Sequence, residues 1–434
     1  MLTVIPYLFL FGKMIHIINK KDCCGCASCI QKCPTKCIIW SEDSEGFFYP
    51  KVDVEKCIEC GLCEKVCPMI HTRTPIAPIA VYGVKNKNDE ERMSSSSGGV
   101  FLPLAREVIN KGGVVFGAIY DKNWNVLLSY TDTLDGVYAM MGSKYVQAQT
   151  GKAYQDAEFF LKQNKEVLFT GTPCQIAGLR RFLGKDYENL LTVDFACHGV
   201  PSPGVWQRYL GELGIKLFAN KVSVEKGMKS ISPFKGKISN IEFRNKTLNG
   251  WKKYTFVVRG KTIDENGENV ILLSDNQNSY MRGFLYDLYL RPSCHECRCK
   301  NGVNHSDITI GDLWGVNEII PNFDDDKGTS LVFIFSSKGL NYFNKLPMEI
   351  YACDYKSIVD RNGGFNEYTY PHPKRNAFFY AYNLEQPIEE TVTKLLYEPI
   401  IAVWSKRIIW GAFKMLVPIS VVKYVRCFFK QRRF

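Results

Sequence analysis

Eight cysteines in one short stretch have the types and spacing of metal ligands. Cys23, Cys26, Cys29 and Cys33 precede Pro34, and Cys57, Cys60, Cys63 and Cys67 precede Pro68, so C-x2-C-x2-C-x3-C-P is written twice. Three closely spaced thiolates grip three irons of one cube, and the fourth, beside the proline, serves the other cube. The spacing assigns Cys23, Cys26, Cys29 and Cys67 to one 4Fe-4S cluster, and Cys57, Cys60, Cys63 and Cys33 to a second. A zinc site needs only four ligands, usually as two pairs. A disulfide framework would not repeat one spacing so strictly. Cys24 and Cys37 remain as small packed residues. Two such clusters pass single electrons, and the rest of the chain must supply their use.

A third 4Fe-4S cluster is expected from scattered residues: Cys174, Cys197, Cys294 and Cys297. Cys294 and Cys297 have the x2 spacing that serves adjacent irons. Prolines beside Cys174 and near Cys294 stiffen their loops. Two other readings stay open: Cys174 and Cys197 as merely buried, with Cys294, Cys297 and Cys299 a separate metal site, or Cys299 in place of Cys297. The run MSSSSGGVF (93–101) reads as a phosphate cradle at a helix N-terminus, or as an ordinary serine-capped helix. His198 lies in a Pro/Gly-rich loop, as a proton donor near neutral pH or as a packing residue.

The elements that must position these residues alternate. Strands are expected at 79–84, 113–120, 166–170 and 190–196, with helices at 151–162 and 176–183. Cys174 and Cys197 then sit just past the C-terminal ends of parallel strands, where open α/β sheets place their sites. A β-rich pattern follows at 238–244, 251–259 and 270–273, then a helix near 277–290 and a strand–turn from 307 to 315. A last strand–helix pair spans 331–346. The run 14–18 leads into the first cysteines as a strand would, which makes Met14 the expected start and leaves 1–13 as an extension. The fold class is α/β: an N-terminal ferredoxin-like domain with two 4Fe-4S clusters (14–72), an α/β core with a β-rich insertion (76–155 and 160–375), and a helical tail (385–434).

Of 434 residues, 46% are hydrophobic, which suits a globular protein with real cores. Seventeen cysteines, ten of them between 23 and 67, imply a reducing compartment, hence the cytoplasm. The net charge of +11 is concentrated: residues 400–434 carry eight basic residues and no acid. Each cluster with its thiolates adds about −2 when oxidised, so the body is near neutral and a nucleic-acid footprint is not supported. The tail alternates basic and apolar faces, with Lys406, Arg407 and Lys414 opposite Ile401, Trp404 and Ile408. That pattern fits peripheral contact with an anionic inner membrane, or docking on the protein's own body.

The runs SSSGGVF, GSKYVQ, LFTGTPCQIAGL, VDFACHGVPSP, FRNK…GWKKY, RPSCHEC and DITIGDLWG resemble the coenzyme F-420 hydrogenase/dehydrogenase beta subunit family, in its bacterial branch with a fused two-cluster ferredoxin domain. The resemblance covers about 15–375 and implies an iron–sulfur flavoprotein carrying FAD. It implies flavin phosphates at Ser95, Ser96, Gly98 and Gly99, Lys144 nearby, and Asp312 with Trp314 shaping the pocket. Lys144 as a surface lysine and 312–315 as a mere turn are the bland readings. A flavin also suits the chemistry, because it joins one-electron carriers to two-electron substrates. The expected activity is an oxidoreductase between a redox donor protein or soluble reductant and a substrate, through the clusters and the flavin. The alternatives are an electron-transfer partner subunit without its own substrate, in a surface-polysaccharide pathway, or a scaffold that keeps its clusters for folding.

Overall fold

A computed structural model describes residues 13–218, 236–262, 268–274, 277–359 and 362–397. The cysteine-rich segment forms two short helices, Ser28–Lys32 and Leu62–Lys65, each entered through a left-handed residue, Ala27 (φ 66°) and Gly61 (φ 71°). Between them runs an antiparallel hairpin of β1 (Ile38–Glu42) and β2 (Phe48–Val52). Its turn is closed by the Asp43 carboxylate, which accepts from the N–H groups of Glu45 and Phe47. The strand expected at 14–18 does not form. There the Ile15 N–H donates to Cys63 Sγ at 3.2 Å instead of to a ladder.

The core holds one eight-stranded sheet. Its members are β3 (Ala80–Asn86), β4 (Val114–Tyr120), β5 (Val126–Thr131), β6 (Val167–Gly171) and β7 (Leu190–Phe195), with three later strands. A separate three-stranded antiparallel sheet follows β7 in the chain: β8 (Gly236–Asn245), β9 (Thr255–Thr262) and β10 (Glu268–Leu273). The large sheet is completed by β11 (Ile308–Asp312), β12 (Ser330–Ile334) and β13 (Met348–Ala352), in the order β13-β3-β12-β11-β7-β6-β4-β5. Strands β4, β6, β7 and β11 run parallel, and the outer pairs are antiparallel. Strands β6 and β7 read as nearly unbroken apolar runs because helices cover both faces.

Two helices differ from their expected bounds for local reasons. The helix after β6 is Pro173–Leu183, starting before Ile176: Thr172 caps it, Gln175 closes a capping box and Pro173 takes the first position. The helix Ser279–Leu285 stops short of 290, and Asp287 beyond it adopts φ 61°. Helix Ile388–Leu395 packs Ile388 and Val392 into the apolar core formed with Trp206, Tyr209 and Phe284. The remainder of the expected tail, 398–434, lies outside the described residues, as do 1–12.

The cysteine-rich domain is pressed onto the core. Gln31 Oε1 accepts from the N–H groups of Tyr154 and Gln155, so it caps helix Ala153–Lys162 from another domain. At Gly178 a Cβ would stand 2.7 Å from Ser28 Oγ and 3.0 Å from Cys26 Cβ, so only glycine admits so close an approach.

Candidate iron–sulfur and cofactor site

Three groups of thiols are gathered. Cys23, Cys26, Cys29 and Cys67 line a small pocket with Ile15, Ile17 and Met69. Cys33, Cys57 and Cys63 pack with Ile15 and Ile38, while Cys60 stands exposed at the surface. Cys174, Cys197, Cys294 and Cys297 form the third group, near enough that each thiol's charge bears on others of the group. Cys174 is not in a loop, as expected, but in the first turn of helix Pro173–Leu183. Cys197 follows the end of β7, and Cys294 sits in the 3-10 turn Pro292–Glu296 with Cys297 just after it. The Val200 N–H donates to Cys294 Sγ at 3.4 Å.

The leftover cysteines lie between these groups. Cys24 is within hydrogen-bonding reach of both Cys26 and Cys174. Cys24, Cys26, Met69 and Cys299 form one buried cluster, and Cys67, Cys174 and Cys297 pack against it. Cys37 Sγ lies 3.4 Å from Cys33 Sγ. A tetrahedral zinc would hold its sulfurs at about 2.3 Å. Among the described residues, no three His, Cys, Asp or Glu side chains are drawn around a single ion in that way.

Electrostatics show what the thiol groups require. Burial pushes Cys67 and Cys294 up to about 12, and Cys197 well up as well. A buried thiolate is therefore costly unless a cation stands beside it. Iron supplies that cation, so the donor set fits clusters of the kind the sequence implies.

Beside the third group opens a cavity of about 810 Å³ at the C-terminal ends of β6, β7 and β11. Cys197, His198, Lys144, Arg244, Asp312 and Trp314 are among its lining residues. The serine–glycine run lies at this cavity, but not as an ordinary serine cap. The serines do not cap helix Phe101–Asn110: Val100 is its N-cap, and no side chain caps that turn. Ser95 Oγ donates to Glu91 O, Ser97 Oγ donates to Thr329 O, and Ser96 Oγ accepts from the Ser143 N–H. Gly98 is committed to the sheet instead of the cavity. Its N–H donates to Ser330 Oγ, and a Cβ there would stand 2.5 Å from Val84 O. Ser95, Ser96, Ser97 and Gly99 remain on the cavity wall, at the positive end of the helix dipole.

Lys144 faces the cavity with its ammonium deep in the wall. Its Nζ donates to the carbonyls of Met140 and Met141 at 3.2 and 3.0 Å, and burial lowers its pKa to about 7. The Asp312 carboxylate is already engaged: it accepts from Arg244 Nη1 at 2.7 Å and from Trp251 Nε1 at 3.2 Å. Trp314 stacks on Trp251 at 4.7 Å. His198 Nε2 lies 2.6 Å from Asp287 Oδ1, so the histidine is held by a carboxylate as well as by its loop.

Arg244 and Asp287 are the site residues that sequence reasoning missed. Arg244 is 8% exposed and lines the cavity, yet its Nε and Nη2 have no partner. A buried cation left with free donors beside a cavity is suited to an anionic ligand. The FRNK run held it in plain sight, but spacing gave no reason to single out one arginine.

Residues 22–71 match the 4Fe-4S dicluster domain model, and residues 164–353 match the model for the C terminus of the coenzyme F-420 hydrogenase/dehydrogenase beta subunit. The F subunit of the F(420)H(2) dehydrogenase of Methanosarcina mazei is 22% identical over 39% of this chain and 50% of its own length. The chain thus spans about half of that relative. A ferredoxin, "Ferredoxin 7Fe" of Hydrogenibacillus schlegelii, is 41% identical over 13% of this chain and 67% of its own length. A chain of the F-420-reducing NiFe hydrogenase complex from Methanosarcina barkeri aligns with a TM-score of 0.38 and 18% identity, covering 69% of this chain and 97% of that one. The chain thus joins a segment matching the 4Fe-4S dicluster domain to one matching the C terminus of the coenzyme F-420 hydrogenase/dehydrogenase beta subunit.

Proposed function

We propose that the chain is an iron–sulfur flavoprotein oxidoreductase, working in the cytoplasm between a redox donor protein or soluble reductant and an organic substrate. The observation that carries this is the position of the third thiol group. Cys174 meets Cys24 and Cys26 of the dicluster domain on one side, and Cys197 lines the cavity on the other. A 4Fe-4S cluster there would close the gap between the dicluster domain and whatever the cavity holds.

A flavin, when bound, accepts electrons singly from clusters and releases them as a pair. The cavity is large enough for such a ligand. The chain's own residues would do the rest. Backbone N–H groups of Ser96, Ser97 and Gly99, with Lys144 and Arg244, would hold its phosphates. Lys246 fixes that loop, since its buried Nζ donates to Ser97 O at 2.8 Å and to Lys327 O at 2.6 Å. His198, held by Asp287, is placed to exchange a proton with a ligand in the cavity. Asp312 would act by orienting Arg244, not by touching the flavin.

The test uses the full chain purified without oxygen. Cys174→Ala should lose about four irons while the dicluster irons and any flavin remain. Unchanged iron would remove the third cluster and the route built on it. A second reading, an electron-transfer partner subunit with no substrate of its own, is favoured by one observation: the Methanosarcina mazei relative is named as a subunit. Turnover of a reductant by the isolated chain would decide against it.

A further inference from the structure

We propose that Arg291 sets the direction of electron entry. Its buried charge raises the reduction potential of the inner cluster (Cys23, Cys26, Cys29, Cys67) so that electrons run to it from the outer cluster (Cys33, Cys57, Cys60, Cys63). The proposal rests on the cluster assignment above.

Arg291 comes from the core domain, 268 residues from Cys23, and is 1% exposed. Its guanidinium is wrapped around the first ligand loop. Nε donates to Cys23 O at 2.7 Å, Nη2 to Cys23 Sγ at 3.5 Å and to Phe48 O at 3.0 Å, and Nη1 to Gln147 Oε1 at 3.0 Å. The plane lies 4.2 Å over the Tyr49 ring. None of these partners is a carboxylate. A fully buried cation without an anion costs several kcal/mol, so the site implies an anion close by. A 4Fe-4S cluster with four thiolates is that anion.

The sign of the effect follows from charge. Reduction adds one negative charge to the cluster, and a cation a few ångströms away in a low-dielectric interior stabilises the reduced form more than the oxidised one. The N–H donated to Cys23 Sγ acts in the same direction. Burial acts the other way, because desolvation disfavours the more highly charged state. Without Arg291 the buried inner cluster would be the stronger reductant, and inward transfer would run uphill.

Among the described residues, no buried cation bears on the outer group in this way. The charged side chain bearing on Cys63 is Glu64, an anion, and Lys56 near Cys37 is exposed and paired with Asp53. The third group does have one: Lys300, 7% exposed, acts on Cys197, Cys294 and Cys297. The inner and third groups therefore each have a buried cation beside them. A one-electron reductant would be oxidised at the outer cluster, which passes the electron to the inner cluster and returns to its oxidised form. No proton is needed.

The test is a redox titration of the full-length holoprotein followed by electron paramagnetic resonance, with Cys63→Ser used to assign the outer signal. In the unaltered chain the inner cluster should reduce at the higher potential. Arg291→Gln should shift that signal downward while the outer signal stays in place, and so reverse their order, whereas Arg291→Lys should hold it near its original place. The third group, whose Cys174 and Cys294 also feel Arg291, should shift in the same direction. If Arg291→Gln fails to assemble, Gln147→Glu leaves the guanidinium in position and sets a carboxylate against it, with the same downward shift expected. An unmoved inner signal, or an Arg291→Lys shift as large as that of Arg291→Gln, overturns the charge role. No 4Fe-4S signal in the unaltered chain overturns the cluster assignment itself.

Discussion

Cys63 shows how one side chain carries two duties, as an expected iron ligand and as the acceptor for the Ile15 N–H. Replacing it by serine should remove most of one cluster, since oxygen serves these irons poorly compared with thiolate. Iron analysis should show a loss of about four. Lys144 gives a prediction with a defined pH window. Its free-state pKa is about 7, lowered by burial, and contact with an anion raises it. Affinity for FAD should therefore be constant below pH 7 and weaken as pH rises above it, where the free lysine becomes neutral and must take up a proton to bind. Lys144→Met should flatten that profile in flavin titrations. The cysteines were legible in sequence because a metal dictates ligand spacing. Arg244, Asp287 and Arg291 were not, because a lone charged residue becomes informative only once its burial and missing partners are known.

The parallel strands and the helices Ala153–Lys162 and Pro173–Leu183 beside them were legible as elements, since buried apolar runs are local signals, whereas the short helices Ser28–Lys32 and Leu62–Lys65 that carry Cys29 and Cys63 were not. The hairpin of β1 and β2, the edge strands β5 and β13, and the absent strand at 14–18 were not. Their pairing depends on turns and on a sulfur acceptor distant in sequence. Two contacts between domains give predictions at this scale. Gly178→Ala places a methyl against Ser28 and Cys26. It should cost about 1–3 kcal/mol through overpacking, partly offset by up to about 1 kcal/mol of helix propensity. Thermal unfolding of the loaded protein should come earlier, and iron should be lost first from the inner cluster. Gln31→Ala removes the cap on helix Ala153–Lys162 and should cost about 1 kcal/mol by the same measurement.

At the scale of the molecule, the three thiol groups follow one another from an exposed face at Cys60 to the cavity wall at Cys197. Sequence order hides this route, because its middle is built from residues near 24, 174 and 299. Among the described residues no helix is long and apolar enough to cross a membrane. The basic tail carries a separate proposal of peripheral membrane contact. Anionic vesicles should sediment the full chain but not a chain ending at 397, and equal sedimentation would end that idea. The route itself is tested most directly by one inventory of iron, acid-labile sulfide and flavin in the full chain purified without oxygen. About twelve irons, about twelve sulfides and one flavin per chain are expected. About eight irons with no flavin would contradict that route, leaving a ferredoxin domain attached to a core that takes no part in electron transfer.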